Sequence, residues 1–386
     1  MAGRLDGLYS VADFRRAARR TLPRPVFDLA DGAAEDEWTL RRNEAAFADW
    51  AFLPKPLDGT PERDLSVTLF GHRLSMPVLV GPTGMQGLFW PDGERCAARA
   101  TMAAGTGFIL THASICTLED LAATGMTPRM MQIFVYRDRS FTHQFIDRAA
   151  AAGYHGLVLT IDNQFGGNRE RDRRNGFTIP PQLGPTQVAA MAVKAGWLWR
   201  MKDALPGLSF ANYVKDGKPV DFRKTNVAAM FDPGMSWADV DDIRRRWKGP
   251  FLLKGVLHPE EAARAVEHGV DGIIVSNHGG RQLDGAASGI DALPAVVTAV
   301  GGRIPVLVDG GFRRGADVVK ALCLGATATL IGRPQLWGLS VGGEAGVARV
   351  LEIFRSEIDR VMGLLGVTRV DQLGPQYLMP VPGRAG

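Results

Sequence analysis

Eight short apolar runs, each followed by a stretch with helical periodicity, leave this chain few ways to fold. They cover residues 77–81, 107–111, 130–135, 156–160, 250–254, 272–276, 304–309 and 328–332. The runs are continuously apolar rather than alternating, as in parallel strands covered on both faces. The alanine-rich segments between them, such as 260–267 and 315–322, read as crossover helices. Eight such units close into an α/β TIM (β/α)8 barrel, with an open doubly wound sheet as the alternative arrangement. We read residues 1–386 as one domain: an N-terminal extension (1–70) and a barrel (71–386) carrying an insertion at 178–236, after the fourth strand. The extension holds helical stretches at 11–20 and near 35–43, parted by Leu22-Pro23-Arg24-Pro25, and is expected to cap the barrel's bottom or side. A connection as long as 178–236 suits a lid, a binding loop or a disordered segment.

Composition excludes several classes. A formal charge of +4 spread along 386 residues, without a basic block, gives no reason to expect nucleic acid as a partner. Cys96, Cys116 and Cys323 lack both disulfide-framework and zinc spacing, so no metal is expected and a reducing, cytoplasmic setting is. No secretory signal and no apolar run long enough to span a bilayer is evident.

Chemistry concentrates where barrel strands end. Directly after the sixth run, Ser276-Asn277-His278-Gly279-Gly280-Arg281-Gln282-Leu283-Asp284-Gly285 sets a histidine beside an arginine. The first is a base near neutral pH, the second a planar fork for a carboxylate, and together they imply an acidic small-molecule substrate. Gln132, Thr160, Asp162, Lys254, Ser276, Asp309 and Arg333 stand at or beside the other strand ends. One polar strand end is ordinarily a satisfied core group, whereas this many on one face point to a site. Lys254 suits an anion, a Schiff base or a structural salt bridge. The Asp309-Gly310-Gly311 turn, Arg313 and Gly332-Arg333 follow the last two strands, where barrels bind phosphate.

These residues, with Lys254-Gly255-Val256, Leu324-Gly325-Ala326 and Ile331-Gly332-Arg333-Pro334, resemble the FMN-dependent 2-hydroxy acid dehydrogenases and oxidases: glycolate oxidase, L-lactate dehydrogenase and mandelate dehydrogenase. The resemblance covers nearly the whole chain. It implies FMN as cofactor, with Pro82, Thr83 and Gly84 by flavin N5, and Thr111, Gln132 and Thr160 on the isoalloxazine edge. Lys254 would stabilise reduced flavin, Ser276 contact it, and Asp309, Gly310, Gly311, Arg313, Gly332 and Arg333 hold the phosphate. His278 resembles the catalytic base with Asp162 as its partner, and Arg281 and Arg169 the arginines that hold the substrate carboxylate. A homotetramer is implied, with oxygen, a quinone or a protein as electron acceptor.

The chain departs from the family pattern where substrate is held. Leu29 and Phe134 stand where tyrosines are usual, and Ala113 where a large aromatic is. Neither Leu29 nor Phe134 can donate a hydroxyl hydrogen bond. His112 is a further substrate contact or a residue facing a helix. A bulkier, aryl-substituted 2-hydroxy acid is expected, with a modified hydroxy or amino compound, or non-redox isomerase or lyase chemistry, as alternatives. The insertion, with Phe231-Asp232-Pro233, Ser236-Trp237, Trp197, Trp199, Arg200 and Lys202, resembles the quinone-linked branch and is a candidate for peripheral contact with the inner face of a membrane.

Overall fold

The computed structural model describes residues 5–176, 189, 191–215, 218–220 and 227–381. At its centre eight parallel strands form a closed barrel: β1 (Val78–Val80), β2 (Phe108–Thr111), β3 (Arg129–Ile133), β4 (Gly156–Thr160), β5 (Phe251–Val256), β6 (Gly272–Val275), β7 (Val306–Asp309) and β8 (Ala328–Ile331). Strand β8 pairs with β1 and closes the ring, which removes the open-sheet alternative.

The strands look continuously apolar because both of their faces are covered. Val80, Leu110, Leu157 and Leu159 point outward into the core beneath the helices. Ile109, Met130, Val158, Leu252, Ile274 and Leu307 fill the barrel interior. Side chains alternate along a strand, so two residues further on the same inward face carries Thr111, Gln132, Thr160, Lys254, Ser276 and Asp309. The polar site is therefore the next layer of the barrel core.

Helices α1 (Val11–Thr21), α2 (Arg24–Asp31) and α3 (Trp38–Ala45) form the N-terminal extension. Ser10 caps α1 by accepting from Asp13 N–H, and the helix buries Val11, Phe14 and Ala18 against the long helix α4 (Arg333–Leu365) on the barrel's side. The expectation of a bottom cap is corrected for α3, which lies over the C-terminal mouth. There the Asp284 carboxylate accepts from the N–H groups of Trp38 (3.1 Å) and Thr39 (2.8 Å) at the helix start. Asn43 and Asn277 exchange two amide hydrogen bonds of 3.0 and 2.7 Å. Buried amides need such partners, and that requirement fixes α3 to the loop after β6. The opposite mouth is closed by the hairpin of strands Val67–Leu69 and His72–Leu74, which sends Leu69 and Leu74 into the interior cluster.

Of the insertion, residues 178–188, 190, 216–217 and 221–226 lie outside the described residues. Helix Ala195–Met201 is anchored by Trp197, buried and donating its indole N–H to Leu88 O (3.1 Å). Asn212 ties the next loop down through Leu118 N, Ser114 Oγ and Cys116 O. This stretch is thus built into the protein, while Trp199 stays 73% exposed with the Lys202 ammonium 4.2 Å above its ring. Among the described residues no helix is long and apolar enough to cross a membrane.

Gly311 shows how closely α3 sits on the barrel. Its φ is +83°, and a Cβ there would lie 1.9 Å from Asn43 O. Gly311→Ala is expected to destabilise by about 2–5 kcal/mol, from left-handed strain plus overpacking. Gly285, at φ +85° with nothing within 4 Å, supplies the control. Gly285→Ala should cost only about 1–2 kcal/mol. Thermal melts of the two variants check both values.

Candidate active site

The C-terminal mouth opens into a cavity of about 800 Å³, at the large end of the range for small-molecule sites. Of the residues expected at the site, all but Asp162 and Ser276 line it. Those two sit behind the lining side chains, and Ser276 belongs to the same inward layer as Lys254. Ser276, fully buried, accepts from Lys254 Nζ (2.8 Å) and from the His278 backbone N–H (3.1 Å). Asp162 lies behind His278, with its Oδ1 3.0 Å from Nδ1 of the imidazole.

His278 has φ +58°, a left-handed conformation costing a non-glycine residue about 1–3 kcal/mol. The Ser276 bond and the Asn277 side chain, which accepts from Gly280 N–H (3.1 Å), hold the turn in place. With Nδ1–H donating to the carboxylate, Nε2 is the basic lone pair. Desolvation lowers the pKa of His278, and Asp162 opposes that shift only in part. Desolvation works against the Asp162 carboxylate as well, but His278 and Lys254 outweigh it and its pKa lies below the ordinary value. A neutral base backed by an anion results.

Arginines sit beside this pair. Arg281 donates from Nη1 to Leu29 O (2.7 Å) and Gly32 O (3.1 Å), and its Nη2 stands 4.0 Å from Asp172. Arg169 donates to Arg281 O (3.2 Å) and to Gln282 Oε1 (3.1 Å). Desolvation lowers both guanidinium pKa values, with Arg281 acting further against Arg169, which falls to about 9. Two like charges in one cavity, with Asp172 as the nearest carboxylate, create a standing demand for an anion. Sequence reasoning missed Asp172 because it sits in the charged run 169–174, which reads as a solvated helix face.

A second basic group lies by β7 and β8. Arg313 donates to Glu44 (2.7 Å) and stacks over Trp337. Arg333 donates to the carbonyls of Ala30, Gly279 and Gly32 and so also clamps the N-terminal extension. Desolvation, then Arg281 and Arg313, bring Arg333 down to about 9. Asp309 faces inward: its Oδ2 lies 3.0 Å from Lys254 Nζ, and Oδ1 is buried without a partner among the described residues. Lys254 thus forms an ion pair with Asp309, beside a polar atom that lacks a donor among the described residues.

Thr111, Gln132 and Thr160 form one chain across the floor. The Gln132 Oε1 accepts from Thr111 Oγ1 (3.0 Å) and lies 2.9 Å from His112 Nδ1, while Nε2 donates to Thr160 Oγ1 (3.0 Å). His112 lines the cavity, its ring 4.4 Å from Phe134. Burial takes its pKa to about 4, so it is neutral, and with Nδ1 facing the Gln132 Oε1 acceptor the single proton sits on Nδ1 and leaves Nε2 as an acceptor. Tyr213 and Phe231 from the insertion complete this wall, a contribution the insertion's length alone did not signal.

Beneath it Glu94 joins the loops after β1 and β2, accepting from Gln86 N (2.9 Å) and Ile115 N (3.2 Å). Burial raises its pKa to about 7, partly offset by those N–H groups. A raised folded-state pKa stabilises below the unfolded value near 4.5 and loses that contribution as pH rises toward 7, about 3 kcal/mol at most. Melts from pH 5 to 8 should show Glu94→Gln less stable than the wild type at pH 5 and gaining on it at each step upward.

The donors fit FMN: an inward polar floor, an orphaned Asp309 oxygen, and glycine turns with arginines after β7 and β8. Residues 18–380 match the family model for the FMN-dependent dehydrogenases. The chain is 42% identical to an L-lactate dehydrogenase of Caulobacter vibrioides, covering 98% of this chain and 99% of that protein. It is 40% identical to 2-hydroxyacid oxidase 1 of Homo sapiens, over 95% of each. Its structure matches that of a monotopic membrane protein, (S)-mandelate dehydrogenase, with a TM-score of 0.93 and 38% identity over 97% of this chain and 100% of the other. The chain belongs to the FMN-dependent 2-hydroxy acid dehydrogenase and oxidase family and is an oxidoreductase that uses FMN.

Proposed function

We propose that this enzyme oxidises an aryl-substituted 2-hydroxy acid to the 2-oxo acid. The observation that carries the reading is the wall of the cavity. Leu29, Phe134 and Ala113 leave an apolar space bounded by aromatic rings from the insertion, with His112 Nε2 as an acceptor on it. Such a surface holds a ring better than the methyl group of lactate, because buried apolar area contributes about 25 cal/mol per Å². Several similar solved structures are named as mandelate dehydrogenases or oxidases.

Arg281 and Arg169 hold the carboxylate, and this fixes the substrate hydroxyl toward His278 Nε2. As the α-carbon loses its hydrogen with two electrons, His278 takes the hydroxyl proton, and Asp162 offsets the resulting imidazolium charge. FMN, when bound, supplies the two-electron acceptor. The Thr111–Gln132–Thr160 chain and the loop of Pro82, Thr83 and Gly84 would hold its ring, Lys254 would supply a cation to it, and Gly310, Gly311, Arg313 and Arg333 would hold its phosphate. Anaerobic addition of mandelate, phenyllactate, lactate and glycolate tests the reading. Bleaching of the visible flavin band fastest with an aryl acid supports it, and equal or faster bleaching by lactate or glycolate rejects the aryl preference. Readmitting air then separates oxygen from a quinone or protein as acceptor.

The exposed Trp199 with Lys202 at its ring supports peripheral membrane contact. Sedimentation with anionic vesicles, weakened in Trp199→Ala, is the expected result.

A further inference from the structure

Within the Ser276–Gly285 string, Gln282 has no part in the proposed chemistry, yet its side-chain amide joins both halves of the site. Its Nε2, with two N–H groups, shares them among three acceptors, Asp162 O (2.8 Å), Asn163 Oδ1 (2.7 Å) and Phe165 O (2.9 Å). Its Oε1 accepts from Gly167 N (3.3 Å) and from Arg169 Nη2 (3.1 Å). One amide thus gathers the whole loop from Asp162 to Arg169, which carries the partner of His278 at one end and a carboxylate-binding arginine at the other. Gly167 makes the approach possible: a Cβ there would lie 2.1 Å from Arg281 O and 2.8 Å from Gln282 Cα.

We propose that Gln282 is a positioning residue that sets the Asp162 carboxylate against His278 and, separately, aims the Arg169 guanidinium at the substrate. The two functions map onto the two ends of the amide. The donor end fixes the start of the loop, and with it the Asp162–His278 distance of 3.0 Å. The acceptor end takes one N–H of Arg169 while Arg281 O takes another, leaving the remainder of the fork for the carboxylate. This rests on the roles assigned above to Asp162 and Arg169.

Three substitutions probe the two ends, and Asn163→Ala touches the donor end alone. Gln282→Glu keeps an oxygen for Gly167 and Arg169 but has no N–H for the three oxygens on the other side. Its kcat should fall about tenfold or more, the scale of effect that misplacing a catalytic group produces, and its KM should rise, because the new carboxylate pairs with Arg169 and competes with that of the substrate. Because Asp162 raises the His278 pKa, loosening it moves the acidic limb of the kcat/KM profile to lower pH. Gln282→Met loses both ends, so KM should rise about tenfold as well, as expected when a hydrogen bond to a charged group is lost. Asn163→Ala removes a single acceptor and should lower kcat by a smaller factor, which keeps the idea testable if the first two fold poorly.

All variants are assayed as FMN-loaded enzyme, alongside Asp162→Asn. If the Gln282 variants hold kcat, KM and pH profile within twofold of wild type while Asp162→Asn does not, the positioning role is overturned. If Asp162→Asn is equally silent, the reading of the site fails and this inference fails with it.

Discussion

Replacing His278 by glutamine is expected to slow anaerobic reduction of the flavin by substrate about 10²–10⁴-fold while leaving FMN bound. That range is the usual worth of a positioned general base. Glutamine approximates the imidazole in reach and can still donate to Asp162 Oδ1, so the change removes the proton acceptor more than the architecture. The wild-type rate should rise with pH through a limb set by His278, placed below the ordinary histidine value because desolvation outweighs the help of Asp162. In the variant that limb should vanish. Stopped-flow traces at several pH values read both effects, and a variant within tenfold of wild type that keeps the limb would remove His278 from the role of base.

The fold was legible because parallel strands covered on both faces leave uninterrupted apolar runs, and each of the eight runs contains most of one barrel strand. The site was legible for a related reason. An inward polar residue two places beyond an apolar one, as in Leu252 to Lys254 or Met130 to Gln132, breaks a run where a purely structural barrel has no need to. What escaped was anything set by contact between distant segments. No local pattern around Asn43 says that its partner is Asn277, so helix α3 was expected at the barrel's bottom or side rather than over its C-terminal mouth. The insertion's tryptophans suggested an interface, yet Trp197 is buried against Leu88 and only Trp199 remains outside. The bonds by which Ser276 supports Lys254 and the strained His278 turn join segments that no local pattern connects.

Arg281→Met should lower kcat/KM for the preferred acid about 10²–10³-fold, the scale expected when one partner of a buried charged pair is removed. The argument turns on what Arg281 lacks in the free protein. One of its guanidinium nitrogens is spent on the carbonyls of Leu29 and Gly32, and Asp172 stays 4.0 Å away. Desolvation with so little compensation is what lowers its pKa, and a substrate carboxylate supplies the missing charge. A methyl ester of the same acid brings no such charge. The wild type should therefore favour acid over ester strongly, and the variant should treat them nearly alike, mostly by losing the acid. Lysine at the same position keeps the charge but not the two-pronged geometry, and should recover only part of the preference. Binding of a carboxylate that is not oxidised, such as oxalate, stabilises the folded state by mass action, so it should raise the melting temperature of the wild type and leave that of Arg281→Met almost unmoved. An Arg281→Met enzyme that still prefers acid to ester by the wild-type ratio would place the carboxylate elsewhere, with Arg169 the nearest remaining cation to hold it.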